Sequence, residues 1–381
     1  MLRKALLLLA VLCGFAGAAD ASIAPGTLLW KLKTGGPIWS PPSVDGGILY
    51  VGNDDGNLYA IELRSHVTRW KFHTSGKVRS RAAISGTRIY FASDDGYLHA
   101  LDKRTGREAW RFDLKAKDLA RRPPSPDNSF YDFLQSSPLV LGTTVYAGSL
   151  NGSMFAIDSQ TGRKLWSIDT LDAVRGNLAV DGKSLYFGSW DDHVYAIDLA
   201  THAVRWRSNA GGIVQSTPAL VNGQVIVGSR SAALVAFDAA TGAERWRHVY
   251  SDGSWVESSA VLGNGLLYVG SSDALKVSAI DPANGNEVWA FKTGGWTWST
   301  PVISNNTVYV GALSAFPYYF DGVTLVAGFY ALDAATGAKK WQFRPGRAQG
   351  YITGGVAVAP AIADGVIYVG AVDGYIYALK E

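Results

Sequence analysis

The sequence predicts an all-β fold, an eight-bladed β-propeller with four antiparallel strands in each blade. Two observations favour this fold. The composition, with 43 glycines and 13 tryptophans but 2 methionines in 381 residues, is typical of short strands joined by tight turns. A tryptophan also recurs along the whole chain at intervals of 40 to 56 residues. The recurring tryptophans are Trp30, Trp70, Trp110, Trp166, Trp206, Trp246, Trp289 and Trp341.

The N-terminal segment has the pattern of a secretory signal peptide. A basic pair at residues 3–4 precedes an apolar run over residues 5–15, and small residues follow that run. Cys13, the only cysteine, comes after a leucine, whereas a lipoprotein signal has a small residue before its cysteine. We therefore expect residues 1–21 to direct the chain to the periplasm or outside the cell without lipidation. Residues 22–381 are then one domain without cysteine.

Charge and hydropathy argue against two classes of protein. Charged residues make up 18% of the chain and the net charge is +3, so the concentrated basic face of a nucleic-acid-binding protein is not expected. After the N-terminal segment, no run of 18 or more apolar residues occurs, so we expect no membrane span. We also expect the domain to be a monomer.

Each repeat contains four short strand patterns, which we name A, B, C and D. Strand A is rich in small residues, as in residues 216–220, and strand B is apolar, as in residues 267–271. Strand C follows a second turn, as in residues 58–61, and strand D carries the recurring tryptophan. Four strands in about 40 residues is the size of one propeller blade.

The turn between strands C and D has the clearest sequence signature. Asp-x-x-Thr-Gly occurs at residues 102–106 and recurs at 158–162, 238–242 and 333–337. The aspartate can accept turn N–H groups, and the glycine supplies the positive φ that closes a hairpin. His66 and His202 take the glycine position in two repeats, where we interpret them as turn residues. The Asp-Asp-Gly segments 54–56 and 94–96 recur between strands B and C, and we interpret these too as turns, not as calcium loops.

The two ends of the repeat region complement each other. Residues 26–33 form a D strand with no A, B or C strand before it, and residues 357–379 supply A, B and C strands with no D strand after them. The first D strand should therefore complete the last blade, because closing the ring removes an exposed sheet edge. We expect all eight recurring tryptophans to be packing residues between blades.

The repeats resemble those of a known group of proteins. The pattern Ala-x-Asp-x-x-Thr-Gly-x-x-x-Trp, present at residues 156–166 and 236–246, resembles the pyrroloquinoline-quinone-type (PQQ-like) β-propeller repeat. That group includes quinoprotein alcohol dehydrogenases and BamB-type outer-membrane assembly proteins. The resemblance covers nearly all of residues 26–381 and implies the fold, whereas one fold carries many functions. The adjacent cysteine pair of many quinoprotein dehydrogenases and the lipid-anchor context of the assembly proteins are both absent.

The longer loops all fall on one face of the predicted ring, the face of the D–A and B–C loops. Insertions occur at residues 114–132, 313–328 and 344–355, whereas the A–B and C–D turns stay short. Variable loops on a rigid scaffold often carry function. The candidate contact residues on this face are Arg121, Arg122, Trp190, Trp255, Tyr318 and Tyr319.

The A strands begin at this face and are expected to line the central channel. The residue three before the proline of each Ser-x-Pro motif, or its equivalent, should face that channel. In chain order these residues are Trp39, Arg79, Gln135, Arg175, Gln215, Glu257, Trp298 and Ala357, and Trp296 lies close by in the sequence. One interpretation is a binding funnel of aromatic platforms and hydrogen-bonding groups. The other is that these side chains plug the channel and satisfy one another through water.

The sequence contains no catalytic constellation or metal-ligand spacing that we recognise, so we name no catalytic residue and no metal ligand. The leading hypothesis is a periplasmic or secreted binding or scaffolding protein, with a protein partner in cell-envelope (outer-membrane protein) assembly and no cofactor. An alternative is a PQQ-dependent alcohol or sugar dehydrogenase with calcium. Trp298 or Trp39 would then stack on the cofactor, Arg79 and Arg175 would hold its carboxylates, and Glu257 would bind calcium or abstract a proton. A third hypothesis is carbohydrate or other small-molecule binding at the tryptophan-rich mouth.

Overall fold

The computed structural model describes residues 23–114, 135–317 and 322–381. These residues form eight antiparallel sheets, each built on four strands and arranged as the blades of a propeller. The predicted fold class is therefore confirmed. The described residues contain no helix that is long and apolar enough to cross a membrane.

The strands of blades 1 to 4 follow the A, B, C, D order within each repeat. They are β2 (Ser43–Asp45), β3 (Ile48–Gly52), β4 (Asn57–Glu62) and β5 (Thr68–His73) in blade 1; β6 (Ala83–Ser85), β7 (Arg88–Ala92), β8 (Tyr97–Asp102) and β9 (Glu108–Asp113) in blade 2; β10 (Leu139–Leu141), β11 (Thr144–Gly148), β12 (Ser153–Asp158) and β13 (Lys164–Asp169) in blade 3; and β14 (Ala179–Val180), β15 (Ser184–Gly188), β16 (His193–Asp198) and β17 (Val204–Asn209) in blade 4.

Blades 5 to 8 continue the same order, with one extra strand on blade 7. They contain β18 (Ala219–Val221), β19 (Gln224–Ser229), β20 (Ala233–Asp238) and β21 (Glu244–Val249) in blade 5; β22 (Val261–Gly263), β23 (Leu266–Gly270), β24 (Lys276–Ile280) and β25 (Glu287–Lys292) in blade 6; β26 (Val302–Ser304), β27 (Thr307–Ala315), β28 (Gly328–Asp333), β29 (Lys339–Phe343) and the added β30 (Ile352–Gly355) in blade 7; and β31 (Ala361–Ala363), β32 (Val366–Gly370), β33 (Tyr375–Lys380) and the N-terminal β1 (Leu28–Lys33) in blade 8.

The ring closes as the sequence predicts. Strand β1 pairs antiparallel with β33, with Trp30 opposite Ala378 and Lys33 opposite Tyr375. This places the D strand that comes first in the sequence on the outer edge of the last blade. The A strands of neighbouring blades contact one another, so they lie at the centre of the ring.

The extra strand on blade 7 joins two of the predicted insertions. Strand β27 runs past the usual end of a B strand, and its last residues pair with β30, with Leu313 opposite Gly355 and Ala315 opposite Ile352. The B–C insertion of blade 7 and the D–A loop that follows it therefore lie on the same face of the ring. That part of the one-face prediction is confirmed.

The recurring tryptophans lie between blades. The indole N–H of Trp110 donates a hydrogen bond to the carbonyl of Ser159, in the C–D turn of the next blade, at 3.0 Å. The glycine of that same turn, Gly162, lies directly against the Trp110 ring. This tryptophan–glycine contact recurs around the ring, at Gly26 on Trp341, Gly106 on Trp70, Gly242 on Trp206, Gly285 on Trp246 and Gly337 on Trp289.

The two histidines in the glycine position preserve this contact. His66 and His202 have φ values of 59° and 61°, so both adopt the left-handed turn conformation. Their rings lie 4.5 Å from Trp30 and 4.6 Å from Trp166, centroid to centroid. Both are thus turn residues, as predicted, and each also packs on the tryptophan of the neighbouring blade.

The inter-blade contact predicts a measurable cost for a single methyl group. In Gly162→Ala, the new Cβ would lie 2.7 Å from the Trp110 ring, at a residue whose φ is +71°. We expect this variant to lose about 2–4 kcal/mol of unfolding free energy, measured by chemical denaturation. Gly142→Ala is the matched control, because Gly142 has a φ of +59° but no atom within 4 Å of its Cβ position. We expect it to lose about 1 kcal/mol, and equal losses in the two variants would refute the contact's role.

Candidate functional site

The predicted channel residues surround a central cavity of about 270 Å³. Because the A strands lie at the centre of the ring, the residues just before seven of them line this cavity, whereas Trp39, before the A strand of blade 1, packs in an apolar cluster. Six of the predicted residues line it together: Arg79, Gln135, Arg175, Gln215, Glu257 and Trp298. Ala357 lines it as well, at the equivalent position of blade 8.

Arg79 is held by two carboxylates from B–C turns. Its Nε and Nη2 atoms each donate a hydrogen bond of 2.8 Å to the carboxylate of Asp54, and Nη1 lies 3.7 Å from Asp94. Burial acts to lower the pKa of Arg79, but the hydrogen bonds and charge of Asp54 and the charge of Asp94 outweigh it and raise that pKa. The guanidinium is therefore a fixed, charged part of the channel wall.

For Asp94, the effect of burial on the pKa outweighs the effect of the neighbouring charges. It is buried, and burial raises the pKa of its carboxyl group to about 6, although Arg79 acts to lower it. Neither carboxylate oxygen of Asp94 has a hydrogen-bond partner among the described residues. Asp54 thus takes the two good hydrogen bonds of Arg79, and Asp94 supplies a weaker, more distant charge.

On the other side of the channel the charges are reversed. Glu257 accepts a 2.7 Å hydrogen bond from Nε of Arg230, which comes from the B–C turn of blade 5. The Arg230 guanidinium also lies 4.5 Å from the Trp255 ring and 5.3 Å from the Trp190 ring. Arg175 lies 4.2 Å from the same Trp190 ring. Two arginines and two tryptophans therefore alternate along the mouth of the channel, in contacts that stabilise cations on aromatic faces.

The three remaining tryptophans of the predicted mouth pack into one buried apolar cluster. Trp296 and Trp298 stack at 5.0 Å with nearly parallel rings, and Trp39 belongs to the same cluster. The indole N–H of Trp296 donates a hydrogen bond to Asp273, and that of Trp298 donates one to Ser272. Trp298 also lines the cavity but is only 7% exposed, so most of its ring surface contacts protein.

A second layer of channel residues was missed by the sequence analysis. These residues occupy the middle position of each Ser-x-Pro motif, two residues beyond the predicted layer. Side chains of this layer accept hydrogen bonds from the neighbouring blade, forming a belt from Arg81 through Ser137, Asn177 and Thr217 to Ser259. The sequence signal for this second layer was the alternation of side chains along a strand, since residues two apart point to the same side of the strand.

The B–C turn residues that hold Arg79 and Glu257 were also missed as site residues. Asp54 and Asp94 were interpreted as turn residues, and both do lie in B–C turns. The sequence signal was that the B–C turn residue of one repeat and the channel residue of the next repeat carry opposite charges. Asp54 precedes Arg79 by 25 residues, and Arg230 precedes Glu257 by 27.

Several predicted residues lie outside the described part of the chain. These are the signal segment 1–21 and the loop residues Arg121, Arg122, Tyr318 and Tyr319. Trp190 and Trp255, the other predicted loop contacts, are described and lie half-buried beside Arg230.

Comparison with known families identifies the repeat. A family model described as outer membrane protein assembly factor BamB matches residues 21–208, 201–275 and 230–381. The chain belongs to this BamB family. The predicted resemblance to PQQ-like repeats is thereby confirmed. Among curated proteins, none has a sequence that matches the chain.

Solved structures similar to this BamB-family chain include a BamB protein and two dehydrogenases. BamB from Moraxella catarrhalis is 22% identical, with a TM-score of 0.64 over 76% of this chain and 87% of that protein. A europium-containing methanol dehydrogenase is 15% identical, with a TM-score of 0.67 over 90% and 84%. The quinohemoprotein alcohol dehydrogenase from Comamonas testosteroni is 16% identical, with a TM-score of 0.65 over 93% and 76%. At these identities the likeness shows the fold alone.

The described residues of this BamB-family chain do not fit a quinone–metal centre. No three His, Cys, Asp or Glu side chains lie close enough together, within the described ranges, to hold a metal ion. Trp298, the candidate platform for a flat cofactor, already has one face stacked on Trp296. Glu257, the candidate base, is 4% exposed and paired with Arg230. The site therefore offers charged and hydrogen-bonding groups for recognition.

Proposed function

We propose that this chain is a periplasmic or secreted scaffold that binds a protein partner in outer-membrane protein assembly. Three features support the proposal: membership of the BamB family, the rigid ring, and a loop face built for contact. The channel carboxylates form ion pairs with arginines, an arrangement suited to holding structure and charge in place.

The exposed apolar side chains carry the proposal. Leu171 is 78% exposed and Phe316 is 77% exposed, which makes them the most exposed large apolar side chains among the described residues. Leu171 lies in the D–A loop between β13 and β14, and Phe316 follows the end of β27 in a B–C loop. Both therefore lie on the same face, which also carries the mouth with Trp190, Trp255 and Arg230. Exposed apolar groups rimmed by polar ones are typical of protein-binding surfaces.

Truncating these two side chains should weaken partner binding without unfolding the protein. We expect Leu171→Ser and Phe316→Ser each to reduce capture of an envelope partner about 5- to 30-fold, because central apolar contacts dominate interface energies. The measurement is quantitative cross-linking and pull-down from envelope extract, with partners identified by mass spectrometry. Since both side chains are mostly solvent-exposed, the thermal unfolding temperature should stay within about 2 °C of the parent value.

Val67→Ser is the matched control, because Val67 is 58% exposed but lies in a C–D turn on the opposite face. We expect it to leave capture unchanged. Equal losses in all three variants, or capture that survives Leu171→Ser combined with Phe316→Ser, would contradict the assignment of this face. The second hypothesis, a dehydrogenase, has no supporting contact among the described residues and is not proposed.

A further inference from the structure

Arg81 is a channel arginine that the protein does not neutralise. Its backbone N–H donates to Ser137 in the belt, and its side chain lines the central cavity. Arg79 and Arg230 both pair with carboxylates, whereas Arg81 makes no ion pair within the described residues. Burial lowers the pKa of Arg81, and no neighbouring carboxylate offsets this effect. A guanidinium stays charged in proteins, so this cavity contains a cation that lacks a counter-charge of its own.

Gln215 lines the same cavity and is also unsatisfied. The residue is 4% exposed, and neither its amide oxygen nor its amide nitrogen has a hydrogen-bond partner among the described residues. The amide oxygen of Gln135, another lining residue, likewise has no partner in the described part of the chain. Buried polar groups without partners are rare and costly, so a group inside the cavity is expected to accept a hydrogen bond from the Gln215 amide nitrogen, while water can donate to the two amide oxygens.

The charge of the cavity wall selects the kind of group. Arg79 and Glu257, which also line the cavity, are each paired with an oppositely charged side chain, so they leave the charge of Arg81 without a counter-charge. Water can satisfy hydrogen bonds there but cannot neutralise charge. The volume of about 270 Å³ admits a small organic or inorganic anion.

We propose that the central cavity binds a small oxyanion, a dicarboxylate or a phosphate, held by Arg81 and Gln215. The Arg81 guanidinium donates to the anion's oxygens, and the Gln215 amide adds a neutral donor. This site lies in the channel, apart from the exposed side chains on the loop face, so it is independent of partner binding there.

Calorimetric titration tests the proposal with three probes: malonate, succinate and inorganic phosphate, each at constant ionic strength. We expect at least one to bind the wild-type protein with a dissociation constant below about 1 mM. Preference among the three distinguishes a carboxylate ligand from a phosphate ligand. Arg81→Gln should weaken binding at least about tenfold, because it removes the charge-assisted hydrogen bonds. Arg104→Gln, an equivalent change at an exposed C–D turn, should bind like wild type.

Thermal unfolding separates a ligand-binding role from a structural one. Without anion, Arg81→Gln should unfold at or above the wild-type temperature, because the variant no longer buries an uncompensated charge. The stabilisation by the bound anion should disappear in this variant and in Gln215→Leu. The proposal is overturned if no probe binds the wild-type protein at about 10 mM, or if Arg81→Gln binds the probe as tightly as wild type. It is also overturned if Arg81→Gln without anion unfolds at a temperature several degrees below that of wild type.

Discussion

A chain without residues 26–33 will not form a stable monomer. Removing β1 leaves the outer edge of β33 with unpaired N–H and C=O groups, and such an edge recruits other chains. The deletion also removes Trp30, which packs against Tyr368 and His66. Trp30 is half-buried, so its loss costs up to about 3–5 kcal/mol, a large share of the roughly 5–15 kcal/mol that stabilises a domain. Size-exclusion chromatography should therefore show larger species than the complete chain forms.

Supplying the missing strand separately provides the control. A synthetic peptide of residues 24–35, added during refolding, should restore the elution volume and circular dichroism spectrum of the complete chain, whereas a scrambled peptide should not. If the shortened chain unfolds at the same temperature as the complete one, closure through β1 contributes nothing and our account of the ring is wrong.

The second large effect is expected at the arginine in the channel wall. Asp54→Asn removes the carboxylate that accepts two hydrogen bonds from buried Arg79. Breaking one partner of a buried ion pair costs about 3–5 kcal/mol, because the remaining charge stays buried. Chemical denaturation at pH 8 should show a loss of this size. An unchanged midpoint would mean that Arg79 is stabilised by other groups.

Asp94→Asn, a change at the equivalent turn of the next blade, should have the opposite sign. The carboxyl pKa of Asp94 is raised from its ordinary value of 3.8 to about 6, so the folded state holds a proton that the unfolded state releases between those pH values. The wild-type protein should therefore lose up to about 3 kcal/mol from Asp94 as the pH rises from about 4 to above 6. Besides Arg79, the charges of Asp54, Lys77 and Arg175 act on this carboxyl group.

The asparagine variant lacks this titration. We expect it to match wild type below about pH 4 and to exceed it by about 1–3 kcal/mol at pH 8, measured by denaturation across the pH range. A variant less stable than wild type at pH 8 would show that Arg79 needs the Asp94 charge, and the assigned direction would then be wrong.

The repeat pattern alone predicted most of the architecture because each blade repeats the same four strands and the same turns. The tryptophan positions, the turn glycines and the complementary ends of the chain predict where the strands lie and which two strands close the ring. The packing of Gly162 on Trp110 lay beyond this reasoning, because it joins neighbouring repeats and requires the rotation between blades. The sequence shows that this glycine and this tryptophan recur at regular intervals, but not that they are in contact.

The candidate site was predictable in its positions but not in its pairings. The residue three before the motif proline does face the channel, which placed Arg79, Arg175 and Glu257 correctly at its wall. Which partner each charge takes depends on how far the B–C turn of one blade reaches over the next. Arg81 was missed because only one residue of each motif was assigned to the channel.

The pairing of β1 with β33 also sets the order of events during synthesis. Residues 28 and 379 are neighbours in the sheet although about 350 residues separate them along the chain. Seven blades can assemble while the ribosome is still delivering the rest, but the eighth must wait for the final strand, and this long-range contact is the slowest to form. Until that last segment has been made, the ring stays open and the nascent chain lacks the contacts that join its two ends.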